Sequence, residues 1–152
     1  MKLTDHFTLE ELTASDTAHR MGLDNMPSDE ALSNLRLTAE KMEIVRLILK
    51  SNPISVSSGF RCEELNARIG GSKNSAHVQG LAVDFTCAAF GTPLEICRAL
   101  ARFSDTIQFD QLIMEGRWAH IGFTKKAEDA RHETLTANFS TGKAVYSKGI
   151  IG

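Results

Sequence analysis

Between Ser28 and Leu49 the apolar positions Leu32, Leu35, Ala39, Met42, Val45 and Leu49 recur at three- and four-residue intervals. That stripe predicts a long helix packed by one face against a core. Ser28 can cap it, Asp29 and Glu30 suit the positive end of its macrodipole, and Asn52-Pro53 should end it. A shorter amphipathic piece, Leu9-Glu10-Glu11-Leu12, follows Thr8, with Glu11 at the reciprocal capping position. From there to Pro27 the chain reads as loop. Ile54-Ser55-Val56-Ser57 changes to a period of two, a short strand that runs through the turn Ser58-Gly59-Phe60-Arg61 into a small helix around Glu63 to Ile69, which Gly70-Gly71 stops.

Leu81, Val83 and Phe85 fall on one face of the next strand, which puts Ala82, Asp84 and Thr86 on the other. Thr92-Pro93-Leu94-Glu95 combines a Thr cap, Pro at the first helical position and Glu at the third, so a helix should run to near Phe103. Phe109 to Met114 and Trp118 to Phe123 are apolar-rich runs separated by Glu115-Gly116-Arg117, which reads as a β-hairpin. Beyond Lys126 the chain is more polar and without clear period, apart from a possible strand at Ala144-Val145-Tyr146. These elements predict one α+β domain over residues 1–152, with a small antiparallel sheet and helices packed on one side of it.

Composition narrows the setting. The 152 residues are 42% hydrophobic and 24% charged, ordinary for one domain with a real core. A net charge of -2 and a pI of about 6.2 give no reason to expect nucleic acid as partner. The first residues lack the regions of a signal peptide and no apolar run is long enough to span a bilayer, so a cytoplasmic product, with no membrane partner, is expected. A monomer is the expected state. Cys62, Cys87 and Cys97 are scattered and outside any CxxC spacing, which predicts free, mostly buried thiols.

The candidate chemistry lies in His77, Asp84 and His120. His77 occupies Ser75-Ala76-His77-Val78-Gln79-Gly80-Leu81-Ala82-Val83-Asp84, where a loop histidine precedes by seven positions a carboxylate set inside an apolar strand. A carboxylate flanked by Val83 and Phe85 is costly to half-bury unless a cation offsets its desolvation. An imidazole from a separate strand, His120, would complete three protein ligands and leave the fourth tetrahedral position open, as in a catalytic zinc site. Taken singly, a buried His or strand Asp is more often a satisfied core residue, and a hydrogen-bonded His77-Asp84-His120 network without metal remains open at this point.

If the hairpin turn is the two-residue Gly116-Arg117 type, Glu115 faces Trp118 and Ile113 faces His120. Glu115, Trp118 and His120 then share a face. The Glu115 to His120 diagonal would be about 7 Å between Cβ atoms, suited to a water held between the two, as for a general base. Taken alone, Glu115 beside a Gly turn is a solvated hairpin residue and Trp118 a core or pocket-wall side chain.

Ser57-Ser58-Gly59-Phe60-Arg61, Leu65-Asn66, Gly70-Gly71, the Ser75 to Asp84 stretch and Trp118-Ala119-His120 together resemble the M15 zinc peptidases. That family includes D-alanyl-D-alanine carboxypeptidases, dipeptidases and phage L-alanyl-D-glutamate endolysins. Phe7-Thr8-Leu9-Glu10-Glu11-Leu12-Thr13 and Asn25-Met26-Pro27 resemble its short phage and prophage branch. The resemblance runs over roughly residues 5 to 124. It implies a Hedgehog/DD-peptidase-like fold, one Zn²⁺ held by His77, Asp84 and His120, and a peptidoglycan stem peptide as substrate, cut next to a D-amino acid. It also implies Arg61 as a catalytic and substrate-positioning residue and Ser75 as a hydrogen-bond donor either to substrate or behind the metal ligands, with Gly59 and Gly80 serving backbone geometry; Trp118 is expected among the substrate-binding residues.

Several family members carry their catalytic acid or base three residues before the last zinc histidine. Here that position is Arg117, which cannot accept a proton. Glu115 is therefore the expected base, with Asp110 and Glu133 next in line. The competing expectation is a module of a phage particle that binds zinc without catalysis. An enzyme of this kind without a signal peptide would reach the cell wall through lysis.

Overall fold

The computed structural model describes residues 1–152. Thr8 closes a capping box with Glu11 at the start of helix α1 (Leu9–Thr13), and Ser28 accepts from the Ala31 N–H at the head of α3 (Asp29–Ile48). Between them lies α2 (Asp16–Arg20), capped by Ser15, where loop was expected. Five residues with only Ala18 buried are too few to write a helical period, so the cap was its one visible signal. Strand β1 (Ser55–Ser58) leads into α4 (Glu63–Arg68), whose N-cap is the Cys62 sulfur accepting from the Leu65 N–H. After β2 (Ala82–Thr86), α5 (Pro93–Ala101) opens on the expected Thr92/Glu95 capping box. It ends two residues before Phe103, and α6 (Ser104–Ile107) follows.

Strands β3 (Gln111–Met114) and β4 (Ala119–Gly122) form the hairpin in the expected register, Ile113 opposite His120. The Glu115 N–H donates to the Trp118 carbonyl at 3.0 Å, leaving Gly116-Arg117 as a two-residue connection, with Gly116 at a φ of 85°. The polar tail, where one strand was expected, supplies two: β5 (Glu133–Asn138) and β6 (Val145–Lys148). The result is a six-stranded sheet in the order β1-β2-β4-β3-β5-β6. It is antiparallel but for β5, which runs parallel to β3. The expected small antiparallel sheet is thus larger and contains one parallel pair, because β5 returns to β3 through a connection rather than a turn.

The two faces of the sheet differ. Val83, Phe85, Leu112, Ala119 and Ile121 point into one buried cluster with Leu35, Met42 and Val45 of α3 and Ile96 and Leu100 of α5. Truncating any of the large members to Ala would cost about 2–5 kcal/mol. Strand alternation sends Asp84, His120, Ile113 and Leu135 to the opposite face, which carries no long helix. No helix is long and apolar enough to cross a membrane. All three cysteines are free, and burial pushes the Cys97 thiol up to about 12, which keeps it inert.

Candidate metal centre and catalytic cleft

Three pieces of backbone bring the site together. Asp84 and His120 are direct partners across β2 and β4, so their side chains rise side by side from the open face. His77 arrives from the tight turn Ala76–Gly80, which is locked to α3: Asn34 donates to the Gln79 carbonyl at 2.9 Å and Thr38 to the Gly80 carbonyl at 2.7 Å. Gly80 has a φ of 78° and its α-carbon lies so near the Ala31 carbonyl that a Cβ would meet it at 2.8 Å. Gly59 is equally constrained, since a Cβ there would strike the Leu12 carbonyl at 2.4 Å. That close approach lets Phe60 N–H bond to Leu12 and aims the Gly59 carbonyl at His77.

The His77 Nδ1 lies 2.7 Å from the Gly59 carbonyl oxygen. A carbonyl only accepts, so Nδ1 carries the proton and Nε2 of the neutral ring presents a bare lone pair. That lone pair faces Asp84 Oδ1 at 3.3 Å, while His120 Nδ1 stands 2.9 Å from the same oxygen. A proton on His120 Nδ1 can satisfy the second contact. The first sets acceptor against acceptor. Burial lowers the His77 pKa, outweighing the pull of Asp84, so a second proton on the ring is disfavoured. Burial pushes the Asp84 carboxyl up, but its interactions with the two imidazoles, the His120 hydrogen bond foremost, more than reverse this and hold it ionised, well below the usual carboxylate range.

A cation resolves this conflict, and the donor set fits zinc. The three ligand atoms lie within 4.8 Å of one another. Tetrahedral ligands at zinc distances of about 2.0–2.2 Å stand about 3.3–3.6 Å apart, which matches the 3.3 Å between His77 and Asp84, while the 2.9 Å between His120 and Asp84 would have to open slightly. The His77 bond to a backbone carbonyl is also what orients a metal-binding imidazole.

Arg61 is built into the same group. Its guanidinium reaches Asp84 Oδ2 at 3.3 Å, Ser58 Oγ at 3.0 Å and Asn66 Oδ1 at 3.4 Å. Burial lowers its pKa, and the Asp84 and Glu115 carboxylates act against that. Two asparagines hold this loop in place. Asn25 donates to the Thr13 and Phe60 carbonyls and accepts from the Cys62 N–H, and Asn66 donates to the Ser72 carbonyl. Neither was singled out for function from the sequence, although Asn25 and Asn66 both lie in its family-like segments.

The group opens into a cleft of about 820 Å³, lined among others by Ser75, Glu115, Trp118 and Tyr146. Glu115 is half-buried beside Trp118. Burial raises its pKa, His120 draws it down, Asp84 adds to the rise and Arg61 opposes it. A carboxyl so tuned takes up and releases a proton nearer neutrality than a solvated one. Ser75 lines the cleft too, and its hydroxyl accepts from the His77 N–H at 3.2 Å, bracing the turn that carries His77. Of the reserve candidates, Asp110 is taken up by a two-pronged bond from Arg131, both contacts 2.9 Å. Glu133 accepts from Gln111 at 2.7 Å. Arg117 lies exposed in the hairpin turn. His132 pairs with Ser104, and Tyr146 lines the cleft without any local motif to mark it.

Comparison with known proteins places this geometry. The family description Peptidase M15 matches residues 5–122. A zinc D-Ala-D-Ala carboxypeptidase of Streptomyces albus G is 29% identical over 122 residues, covering 80% of this chain and 45% of that relative. The chain thus spans under half the length of that relative.

Proposed function

This chain belongs to the peptidase M15 family, and from that premise we propose that it is a zinc-dependent peptidase cutting a bond next to a D-amino acid in peptidoglycan stem peptides. The observation that carries the reading is the bare Nε2 of His77 set 3.3 Å from the ionised Asp84 carboxylate, an arrangement that calls for a metal cation. His77, Asp84 and His120 would hold it. When bound, zinc supplies a Lewis acid that lowers the pKa of water toward neutrality and polarises a carbonyl.

The chain's own residues do the rest. Glu115, at the cleft wall on the His120 face, accepts the proton of the attacking water and returns it to the departing amine. Arg61 is anchored on three sides, so its fork holds a fixed direction for a carboxylate or carbonyl of the peptide. Trp118 offers an apolar wall opposite Glu115, and Ser75 keeps His77 in place. No cysteine takes part.

Within this class we favour a D,D-carboxypeptidase or an L-alanyl-D-glutamate endolysin of the short phage type, supported by the Phe7 to Thr13 and Asn25 to Pro27 segments. Digestion of purified peptidoglycan with and without chelator, followed by mass identification of the fragments, tests the proposal. Chelator-sensitive release of peptides ending or beginning at a D-residue is expected. No cleavage by zinc-loaded protein would replace this reading with that of a zinc-binding phage module.

A further inference from the structure

The strands β5 and β6 lie beyond residue 122, where the family match ends, yet they extend the floor of the cleft. Their register can be followed across the sheet. Ala137 pairs with Tyr146, and the β3–β5 register carries Ala137 to the level of Glu115, which bonds across the hairpin to Trp118. Tyr146, Ala137, Glu115 and Trp118 therefore form one cross-strand row on the metal face. The neighbouring row is Asp84, His120, Ile113, Leu135 and Lys148.

Tyr146 and Glu115 are two strand spacings apart, about 10 Å at the backbone. The residue between them is alanine, buried to 6% exposure, so no side chain stands in the path of the phenol. The ring remains half exposed at 50%, on a strand whose every residue is exposed. Burial raises the Tyr146 pKa, with the Glu115 and Asp84 carboxylates adding to it and no hydrogen bond contributing. An aromatic ring with a free hydroxyl, facing the base and the metal group from an otherwise polar edge strand, is an amphipathic group without a partner in the chain.

We infer that the β5–β6 hairpin adds a peptide subsite beside the metal group, in which the Tyr146 hydroxyl donates a hydrogen bond to a backbone carbonyl of the bound peptide while Ile113, Leu135 and Ala137 seat its aliphatic part. The inference rests on the peptidase reading for the identity of the ligand. A peptide carbonyl is an acceptor that the neutral phenol hydroxyl can serve. The apolar floor suits a small alkyl side chain, of the size of alanine's methyl.

The chain's single tryptophan, Trp118, lies in this row and reports occupancy by its fluorescence. Zinc-loaded wild type, Tyr146→Phe and Tyr146→Ala are titrated by rapid mixing with a synthetic stem peptide ending in D-Ala-D-Ala, read before turnover, and hydrolysis is then followed in the same samples. Tyr146→Phe is expected to raise Kd and KM about 5- to 10-fold, the range for one neutral hydrogen bond, with kcat little changed. Tyr146→Ala should weaken binding further. Equal Kd in all three proteins overturns the subsite, as does absence of any peptide binding by wild type. Hydrolysis that is unaffected by either substitution defeats the subsite and leaves the peptidase reading standing. Tyr146-dependent binding without hydrolysis does the reverse.

Discussion

Asp84 and Asp110 line the same cleft, and their surroundings differ in a way that separates a candidate metal ligand from a structural carboxylate. Asp110 meets Arg131 fork to fork, two contacts of 2.9 Å, and also takes the Arg131 backbone N–H at 3.0 Å. Every neighbour is a donor. Asp84 Oδ1 instead meets two imidazole nitrogens, one of them a lone pair, in a setting where protonating His77 is disfavoured. Both carboxyls are held ionised, so charge alone does not distinguish them. The direction of the protons does: a complete set of donors closes a site, and an acceptor facing an acceptor leaves room for a cation.

Substitution breaks the comparison most sharply. His77→Ala, Asp84→Ala and His120→Ala should each abolish turnover on stem peptides, whereas Asp110→Ala should retain it within a few-fold, since an exposed ion pair contributes only about 0–1 kcal/mol. Comparable loss in Asp110→Ala would erase the distinction. Glu115→Gln should lower kcat about 10²- to 10⁴-fold with zinc content unchanged, because the amide keeps the shape and loses only the proton acceptor. Near-normal turnover would move the base elsewhere.

Why Glu115 was legible and Tyr146 was not follows from the distance over which each is placed. A two-residue turn sets the β3–β4 register within a few positions, so the face shared by Glu115, Trp118 and His120 could be read from spacing. The capping boxes at Thr8/Glu11 and Thr92/Glu95 are local in the same sense. β5 alternates weakly in Glu133-Thr134-Leu135-Thr136-Ala137-Asn138 and pairs in parallel with a strand some twenty residues earlier, a contact that no local pattern announces. The orientation of Tyr146 depends on that pairing. The metal group lies between these extremes: its residue types and spacing were visible, but the tautomer of His77 depends on the Gly59 carbonyl, which only the close approach of Gly59 to Leu12 brings within reach.

Smaller effects sharpen the account. Arg61→Ala should reduce kcat/KM while zinc stays bound, and Arg61→Lys should restore part of it, since the charge returns without the planar fork. Steady-state kinetics beside metal analysis checks this; unchanged kinetics in Arg61→Ala would remove the residue from substrate binding. In metal-free protein the folded-state pKa of His77 lies below its ordinary 6.5 and that of Asp84 below 3.8. The unfolded chain therefore binds protons first on acidification. Stability should be full at neutral pH, begin to fall below about pH 6.5 and fall further below about pH 4, as Asp84 and Asp110 contribute. Thermal melts of chelated protein from pH 7 downward check the sign, and a melting temperature that rises on mild acidification would contradict it.

The central claim is that a zinc ion sits between His77, Asp84 and His120, and elemental analysis of purified protein tests it most directly. The account predicts about one zinc per chain in the wild type, loss of most of it in Asp84→Asn and full retention in Asp110→Asn. A wild type without bound zinc after incubation with the metal, or equal zinc in both variants, would contradict it.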